Sequence, residues 1–386
     1  MVDKVITIIG PTASGKTSLA VNLSKKINAE VISLDSRQIY KGMTIGTAQP
    51  STDEMNGVKH HLIGIKDPSL SVSAGEYAKL VVDKVKDIKS KGRLPIICGG
   101  AGLYYRAICC GIFRGSRSDL IIRDRLEKLY DIDSPKLMRR LRAVDPEYAA
   151  KTHINNKKRL IRSLEIFEIT GKTPTENFKN QESDPTSNLD LFTVRIHRDR
   201  NILNKRIEKR LDFMLASGWI KEVELLLIKQ SYERRIFPAL DSIGYSQIKS
   251  YLKKEISYNL MREKILIKTR QFAKRQEKWF DAESIDLTVD IGHMKSQLIS
   301  EIIHCLLKDV GRARYTFATD EEAFSAYKLV TELEDISPSL EPAHAFAEAI
   351  KIAPKLNESN ILVVDSCGDS LKDKDIIKKK LGSYLR

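Results

Sequence analysis

One eight-residue segment, GPTASGKT from Gly10 to Thr17, constrains this chain more than any other feature. It matches the pattern GxxxxGK[ST] and lies between a short β-branched run (residues 4–9) and a segment with apolar residues at helical spacing. The pattern predicts a loop whose backbone N–H groups converge on phosphate oxygens at a helix N-terminus, and the flanking elements disfavour a glycine-rich turn without a ligand. The predicted phosphate-binding residues are Gly10, Pro11, Thr12, Ala13, Ser14, Gly15, Lys16 and Thr17. Lys16 would add a cation, and the Thr17 hydroxyl would ligate Mg²⁺.

Short apolar runs alternate with amphipathic segments along much of the chain. Strands are predicted at residues 30–34, 94–98 and 191–196, with helices at 17–27 and 74–89 between them. This alternation predicts an α/β fold: a parallel sheet that binds ligands at the carboxyl ends of its strands. Further helices are predicted at 200–216, 219–229 and 257–280, and residues 177–188 are predicted to form a mobile loop.

The segment from about residue 119 to 170 is helical in pattern and strongly basic. We therefore expect a phosphate-loop sheet core formed by residues 1–115 and 190–310, a helical insertion at 116–189, and a C-terminal extension at 312–386. A second Gly-Lys-Thr, at residues 171–173, lacks the upstream glycine of the motif, and Pro174 follows it directly. It is better explained as a helix C-cap and turn.

The charge of the chain is positive and uneven. Lys and Arg number 65 against 51 Asp and Glu, a net of +14, and residues 313–386 carry −3, which leaves +17 on residues 1–312. Such an excess favours a polyanionic partner such as nucleic acid, although a generically basic proteome would produce it too. No apolar run is long enough to span a bilayer, so we expect no membrane partner. Five cysteines without a CxxC pair exclude a disulfide scaffold and a cysteine-rich zinc module, and they suggest the cytoplasm.

A phosphate loop does not specify the reaction. A nucleoside triphosphatase or kinase would need a later strand that ends in an Asp for Mg²⁺, but the strand at 94–98 is followed by Gly99 and Gly100. The strand at 30–34 is followed directly by Asp35. At this point Asp35 could ligate Mg²⁺ through water, accept a proton from an attacking nucleophile, or only cap the next turn.

Four segments together resemble the bacterial tRNA dimethylallyltransferases: GPTASGKT (10–17), DSRQIYKGMTIGTAQP (35–50), GGAGLYYRAI (99–108) and RQFAKRQEKWF (270–280). The resemblance covers about residues 1–310. It implies that the phosphate loop holds dimethylallyl diphosphate, with Asp35 as the general base and with Lys16 and Thr17-bound Mg²⁺ stabilising the departing diphosphate. It also implies that the partner is the tRNA anticodon stem-loop and that the acceptor is the exocyclic amine of the adenosine 3′ of the anticodon.

The resemblance also implies tRNA contacts, and it assigns the insertion to tRNA binding. The residues at the matching positions are Asp35, Ser36, Arg37, Gln38, Ala101, Arg123, Lys158, Arg159, Leu160, Ile161, Arg162, Asp241, Ser242, Ile243, Gly244, Tyr245 and Ser246. Arg270, Lys274 and Lys278 share one face of the helix at 257–280, which could contact RNA or be simply solvated. Trp279 and Phe280 are expected to be core residues.

The chain departs from the family at two places. Ala101 stands where the family usually has Thr, so weaker substrate binding is expected. Residues 312–386 resemble the C-terminal end of tryptophan synthase β chains, in RARYTFATDEEA (312–323), PSLEPAHA (338–345) and ILVV (361–364). The family's Ser-Gly-Arg-Gly-Asp segment near the cofactor ring, however, appears here in degraded form as DSCGDS (365–370). We therefore expect no pyridoxal phosphate chemistry from this extension.

Two other functions stay open. A phosphate-loop kinase or a prenyltransferase of free adenylates would have no need of a +17 body with a basic insertion. An RNA-binding module without chemistry would use Asp35 only to order a loop. Because one polyanion and one small donor need no second subunit, we expect a monomer.

Overall fold

A computed structural model describes residues 4–111, 119–179, 189–291, 295–310, 316–334, 337–357 and 359–365, together with 373 and 376. These residues form two units, Met1–Leu306 and Leu307–Arg386. The predicted boundaries at 115, 190 and 312 stay predictions.

The first unit is built on a six-stranded sheet with the order β3-β2-β4-β1-β5-β6, in which every pairing is parallel. Its elements, in chain order, are β1 (Val5–Ile9), α1 (Lys16–Ile27), β2 (Ala29–Leu34), α2 (Thr52–Met55), β3 (His60–His61), α3 (Ala74–Ser90), β4 (Leu94–Gly99), α4 (Gly102–Cys110), α5 (Leu120–Val144), α6 (Pro146–Ala150), α7 (Lys157–Thr170), α8 (Pro174–Lys179), β5 (Leu191–His197), α9 (Arg200–Ala216), α10 (Trp219–Glu233), α11 (Tyr245–Leu252), α12 (Tyr258–Phe280), β6 (Leu287–Asp290) and α13 (Lys295–Asp309), whose last residues, from Leu307 on, belong to the second unit. The predicted α/β class with a parallel sheet is confirmed.

The central strands are apolar because helices cover both faces of the sheet. All five residues of β1 and all six of β2 are buried, as expected for parallel strands within an α/β fold. The reversal of strand order places β1 between β4 and β5, so the loops after β1, β2 and β4 meet at one edge.

Helices α5 to α7 pack around an apolar cluster of their own, which includes Leu126, Leu137, Leu141 and Leu164. The turn at 171–173 is confirmed as a helix end: Gly171 caps α7 with φ of 68°. The predicted loop at 177–188 is wrong for its first three residues, which end α8, while residues 180–188 lie outside the described part of the chain.

The second unit contains α14 (Asp320–Glu334) and α15 (Leu340–Ile352), which pack through Ala323, Tyr327 and Ala343. Residues 312–315 and 366–370, which carry parts of the tryptophan synthase resemblance, lie outside the described residues. Across the described ranges, no helix has the length and apolarity needed to cross a membrane.

Candidate active site

Three loops converge at the carboxyl edge of the sheet: residues 10–15 after β1, residues 35–38 after β2 and residues 100–101 after β4. The backbone N–H groups of Gly100 and Ala101 donate to the Leu34 carbonyl at 3.2 and 3.3 Å. A Cβ at Gly99 would lie 2.0 Å from that same oxygen, so only glycine permits this approach. The loops border a cavity of about 630 Å³, whose walls also include residues of α9 and α12.

The phosphate loop has the backbone that its glycines predict, with φ of 152° at Gly10 and 107° at Gly15. The Lys16 ammonium turns back onto the loop and donates to the Pro11 carbonyl at 2.6 Å. Burial lowers the pKa of Lys16 to about 8; Arg210 also lowers it, while Cys98 and Asp35 act in the opposite direction. The loop therefore holds a desolvated cation that an anionic ligand would stabilise.

Three arginines that sequence reasoning missed surround the loop. Arg198 Nε donates to the Ser14 carbonyl at 3.1 Å, and Arg206 Nε donates to the Ala13 carbonyl at 2.8 Å. Arg210 Nη1 lies 3.4 Å from the Thr12 hydroxyl. The four-residue spacing of Arg206 and Arg210 on α9 puts them on one helix face, which was the only signal in the sequence.

Of these three arginines, Arg210 lines the cavity. Burial lowers its pKa, while Asp35 and Glu54 partly compensate. A guanidinium stays charged even when desolvated, so Arg210 brings a permanent positive charge between the phosphate loop and Asp35.

Asp35 caps a turn and also lines the cavity. Its Oδ1 accepts from the backbone N–H groups of Arg37 (2.7 Å) and Gln38 (3.2 Å), which is the capping role considered as an alternative. No hydrogen bond to Oδ2 from the described residues is found, so one oxygen is held and the other is available to a ligand. Tyr77 supports the strand end: its hydroxyl accepts from Asp35 N at 3.4 Å and donates to the Ser33 carbonyl at 2.6 Å.

Gln276 of α12 joins two of the three loops. Its Oε1 accepts from the Thr12 backbone N–H, and its Nε2 donates to the Gly100 carbonyl, both at 2.8 Å. The side chain is buried, so both bonds form away from water, where an unpaired group is costly. Gln276 therefore fixes the phosphate loop relative to the end of β4.

Fourteen of the seventeen predicted tRNA contacts fall into two groups in the structure. The first lines the cavity and comprises Asp35, Ser36, Arg37, Ala101, Asp241, Ser242, Ile243 and Tyr245. The second lies on α5 and α7, in the helical insertion, and comprises Arg123, Lys158, Arg159, Leu160, Ile161 and Arg162.

The other three predicted contacts, Gln38, Gly244 and Ser246, make interactions within the fold. The Gln38 amide accepts from Ser33 Oγ at 2.9 Å and donates to the Ala48 carbonyl at 2.9 Å. A Cβ at Gly244 would lie 2.0 Å from the Trp219 ring, so packing alone requires glycine there. Ser246 Oγ bonds the Ser242 carbonyl at 3.3 Å.

Four expectations for individual side chains need correction. Leu160 and Ile161 are only 0 and 2% exposed within the insertion's apolar cluster, so they pack and do not face a partner. Trp279 is not a core residue: it lines the cavity and lies under the Arg106 guanidinium, 5.2 Å from its ring centroid. Arg270 is not simply solvated, because its Nη2 pairs with Glu208 at 3.1 Å. Phe280 is buried as predicted.

Curated proteins similar to this chain are named tRNA dimethylallyltransferases. Residues 38–283 match the family of IPP transferases. A tRNA dimethylallyltransferase of Bacillus velezensis is 38% identical over 312 residues, which cover 78% of this chain and 96% of that protein. The enzyme of the same name from Bacillus subtilis is 39% identical over 306 residues, covering 77% and 96%.

Solved structures agree with this. The full-length tRNA isopentenylpyrophosphate transferase of Bacillus halodurans superposes with a TM-score of 0.59 at 35% identity, covering 80% of this chain and 98% of that one. A eukaryotic dimethylallyltransferase acting on tRNA gives 0.64 at 28% identity, covering 74% and 73%. The span that matches the family contains Gln38, Arg210 and Gln276. Because this span is more than half of the chain and the curated relatives align over nearly their whole length, this chain belongs to the IPP transferase family.

Proposed function

We propose that this protein transfers the dimethylallyl group of dimethylallyl diphosphate to the exocyclic amine of the adenosine 3′ of the anticodon in tRNA. The observation that carries the proposal is the shared cavity, because the phosphate loop, Arg210 and the Asp35 carboxylate all line it. The relatives bearing this activity in their names align over nearly their whole length.

The diphosphate of the donor would occupy the phosphate loop. Lys16 and Arg210 supply two cations there, and the backbone N–H groups of the loop supply further donors. These groups act most strongly when charge develops on the leaving diphosphate.

Mg²⁺ would bind at this site mainly through oxygen atoms of the diphosphate substrate. Among the described residues no cluster of three or more His, Cys, Asp or Glu could hold a metal on its own. Thr17 is an exposed residue that directly follows Lys16, and Mg²⁺ commonly takes few protein ligands with several substrate oxygens and waters. Thr17 would hold the ion, which would neutralise charge on the diphosphate.

The chemical step forms one bond and breaks one. The amine nitrogen of adenine attacks the allylic carbon, the C–O bond to the diphosphate breaks with its electron pair, and the amine loses one proton. Asp35 Oδ2 would take that proton while Oδ1 stays fixed by the N–H groups of Arg37 and Gln38.

The adenine must leave the anticodon-loop stack to reach Asp35, at a cost of about a few kcal/mol. Stacking and phosphate contacts would offset this cost. Ser36, Arg37, Ala101 and residues 241–246 would contact the extruded nucleotide, and Arg123, Lys158, Arg159 and Arg162 would contact more distant phosphates. We further propose that the protein acts as a monomer in the cytoplasm.

The test is incubation with dimethylallyl diphosphate and tRNA lacking the modification, followed by mass analysis of the nucleosides. Wild-type protein should prenylate one adenosine per tRNA. The Asp35→Asn variant should bind tRNA normally but turn over about 10²- to 10⁴-fold more slowly. Transfer only to free adenylates, or binding of tRNA without transfer, would reject the proposal in favour of the two other functions.

A further inference from the structure

The helical insertion contains a buried carboxylate that holds two arginines together. Glu165 of α7 is 0% exposed. Its Oε2 accepts from Arg123 Nη2 at 3.1 Å and from Arg162 Nη1 at 2.8 Å. Its Oε1 accepts from the Asp119 backbone N–H at 3.0 Å, where α5 begins. One carboxylate therefore fixes two cations from different helices and the start of one of those helices.

Two guanidinium groups that bind the same carboxylate oxygen would repel each other if that carboxylate were absent. The Glu165 carboxylate allows Arg123 and Arg162 to lie close together, and the two arginines neutralise its negative charge. The Arg123 and Arg162 side chains stay 38 and 32% exposed. An approaching phosphate therefore meets two cations whose positions are already set and does not meet the anion beneath them.

We propose that Glu165 is a positioning residue for tRNA, which preorganises Arg123 and Arg162 as a two-cation grip on the phosphate backbone. The inference rests on the proposed function, because the tRNA contacts of these two arginines come from it. Long side chains lose rotamer freedom when they bind a ligand, so arginines that are ordered beforehand bind with less entropic cost.

The chain provides a matched control three residues further along the same helix. Glu168 is 11% exposed and pairs with Arg125 and, at 2.7 Å, with Arg140. Neither of these arginines is among the proposed tRNA contacts. Changing Glu165 or Glu168 to Gln alters net charge equally and removes a buried carboxylate from the same pair of helices.

The experiment compares tRNA binding by wild-type protein, Glu165→Gln and Glu168→Gln, with unmodified tRNA as the probe. Charge alone predicts that both variants bind tRNA more tightly, because each becomes more positive by one. If Glu165 positions the two arginines, Glu165→Gln should instead bind tRNA more weakly than wild type. Glu165→Gln should bind tRNA about three- to tenfold more weakly, while Glu168→Gln should bind as tightly as wild type or more tightly.

Steady-state kinetics provides a second readout. For Glu165→Gln, the KM for tRNA should rise in proportion to Kd, while kcat at saturating tRNA and the KM for dimethylallyl diphosphate stay unchanged. Arg162→Gln should weaken tRNA binding less in the Glu165→Gln background than in wild type. Unchanged or tighter binding by Glu165→Gln, or equal weakening by both Gln variants, would overturn the proposal.

Should Glu165→Gln fail to fold, Glu165→Asp retains the charge but withdraws the carboxylate by one methylene. It should show the same weakening, with Glu168→Asp as its control, and wild-type affinity for Glu165→Asp would count against the positioning role. Failure of the proposed function can be distinguished from failure of this inference. In the first case wild-type protein would bind tRNA without prenylating it, and the order of the variants' affinities for tRNA could still be measured.

Discussion

Lys16 should destabilise the ligand-free protein, and its removal should therefore make the fold more stable. Its ammonium is desolvated against the phosphate loop, which lowers its pKa from 10.5 to about 8. That difference corresponds to about 3.4 kcal/mol between the charged and neutral forms. Because the side chain is partly exposed, solvent reduces this figure, and the lost bond to the Pro11 carbonyl offsets about 1 kcal/mol more. The net expectation for Lys16→Met is a gain of about 1–2 kcal/mol at pH 7.

The pH dependence of this gain has a definite sign. Below pH 8 the lysine is charged in both the folded and unfolded states, so the folded state carries the full cost. Between pH 8 and 10.5 the folded state loses its proton first, and wild-type stability rises relative to the Met variant. The advantage of Lys16→Met should therefore shrink by about 1–2 kcal/mol from pH 7 to pH 9.5.

Urea unfolding followed by tryptophan fluorescence measures this directly. Trp219 and Trp279 are the two tryptophans of the chain, and both lie in the unit Met1–Leu306. Lys25→Met is the control, because Lys25 lies on the same helix but is exposed; it should give no gain. A Lys16→Met variant less stable than wild type at pH 7, or an advantage that does not change with pH, would refute the assigned desolvation.

Three further predictions concern the donor site and the C-terminal unit. Arg210→Gln should raise the KM for dimethylallyl diphosphate about tenfold or more, because it removes a charge-assisted contact of about 1.5–3 kcal/mol; an unchanged donor KM would exclude Arg210 from the diphosphate site. Ala101→Thr should lower the KM for one of the two substrates, dimethylallyl diphosphate or tRNA, in steady-state kinetics. Kinetics identical to those of wild type would show that the missing hydroxyl has no role. Deletion of residues 313–386 should leave turnover within about twofold of the full chain, since the described cavity lies in the first unit; lost turnover would show that the extension takes part.

Local patterns in the sequence were sufficient for the phosphate loop and for the framework around it. The glycine spacing at 10–17 and the apolar periodicity of β1, β2 and β4 are properties of neighbouring residues, and they predicted elements whose bounds agree within one or two residues. Asp35 was found because it directly follows a strand. In contrast, β3 and β6 were missed, since two and four residues are too few to show a period, and they are strands only because β2 and β5 lie beside them.

The sequence by itself determined the phosphate loop and the α/β class and singled out Asp35 at a strand end, because each depends on residues close together in the chain. Only the tertiary structure decided what surrounds them. Arg210 and Gln276 are separated from Thr12 by 198 and 264 positions, and local sequence patterns in α9 and α12 do not show that either side chain bonds to the phosphate loop. Their roles arise when the parallel sheet brings β1 between β4 and β5 and the two helices close over its edge. Glu165 became distinct in the same way, since its burial beneath Arg123 and Arg162 exists only once α5 and α7 have packed.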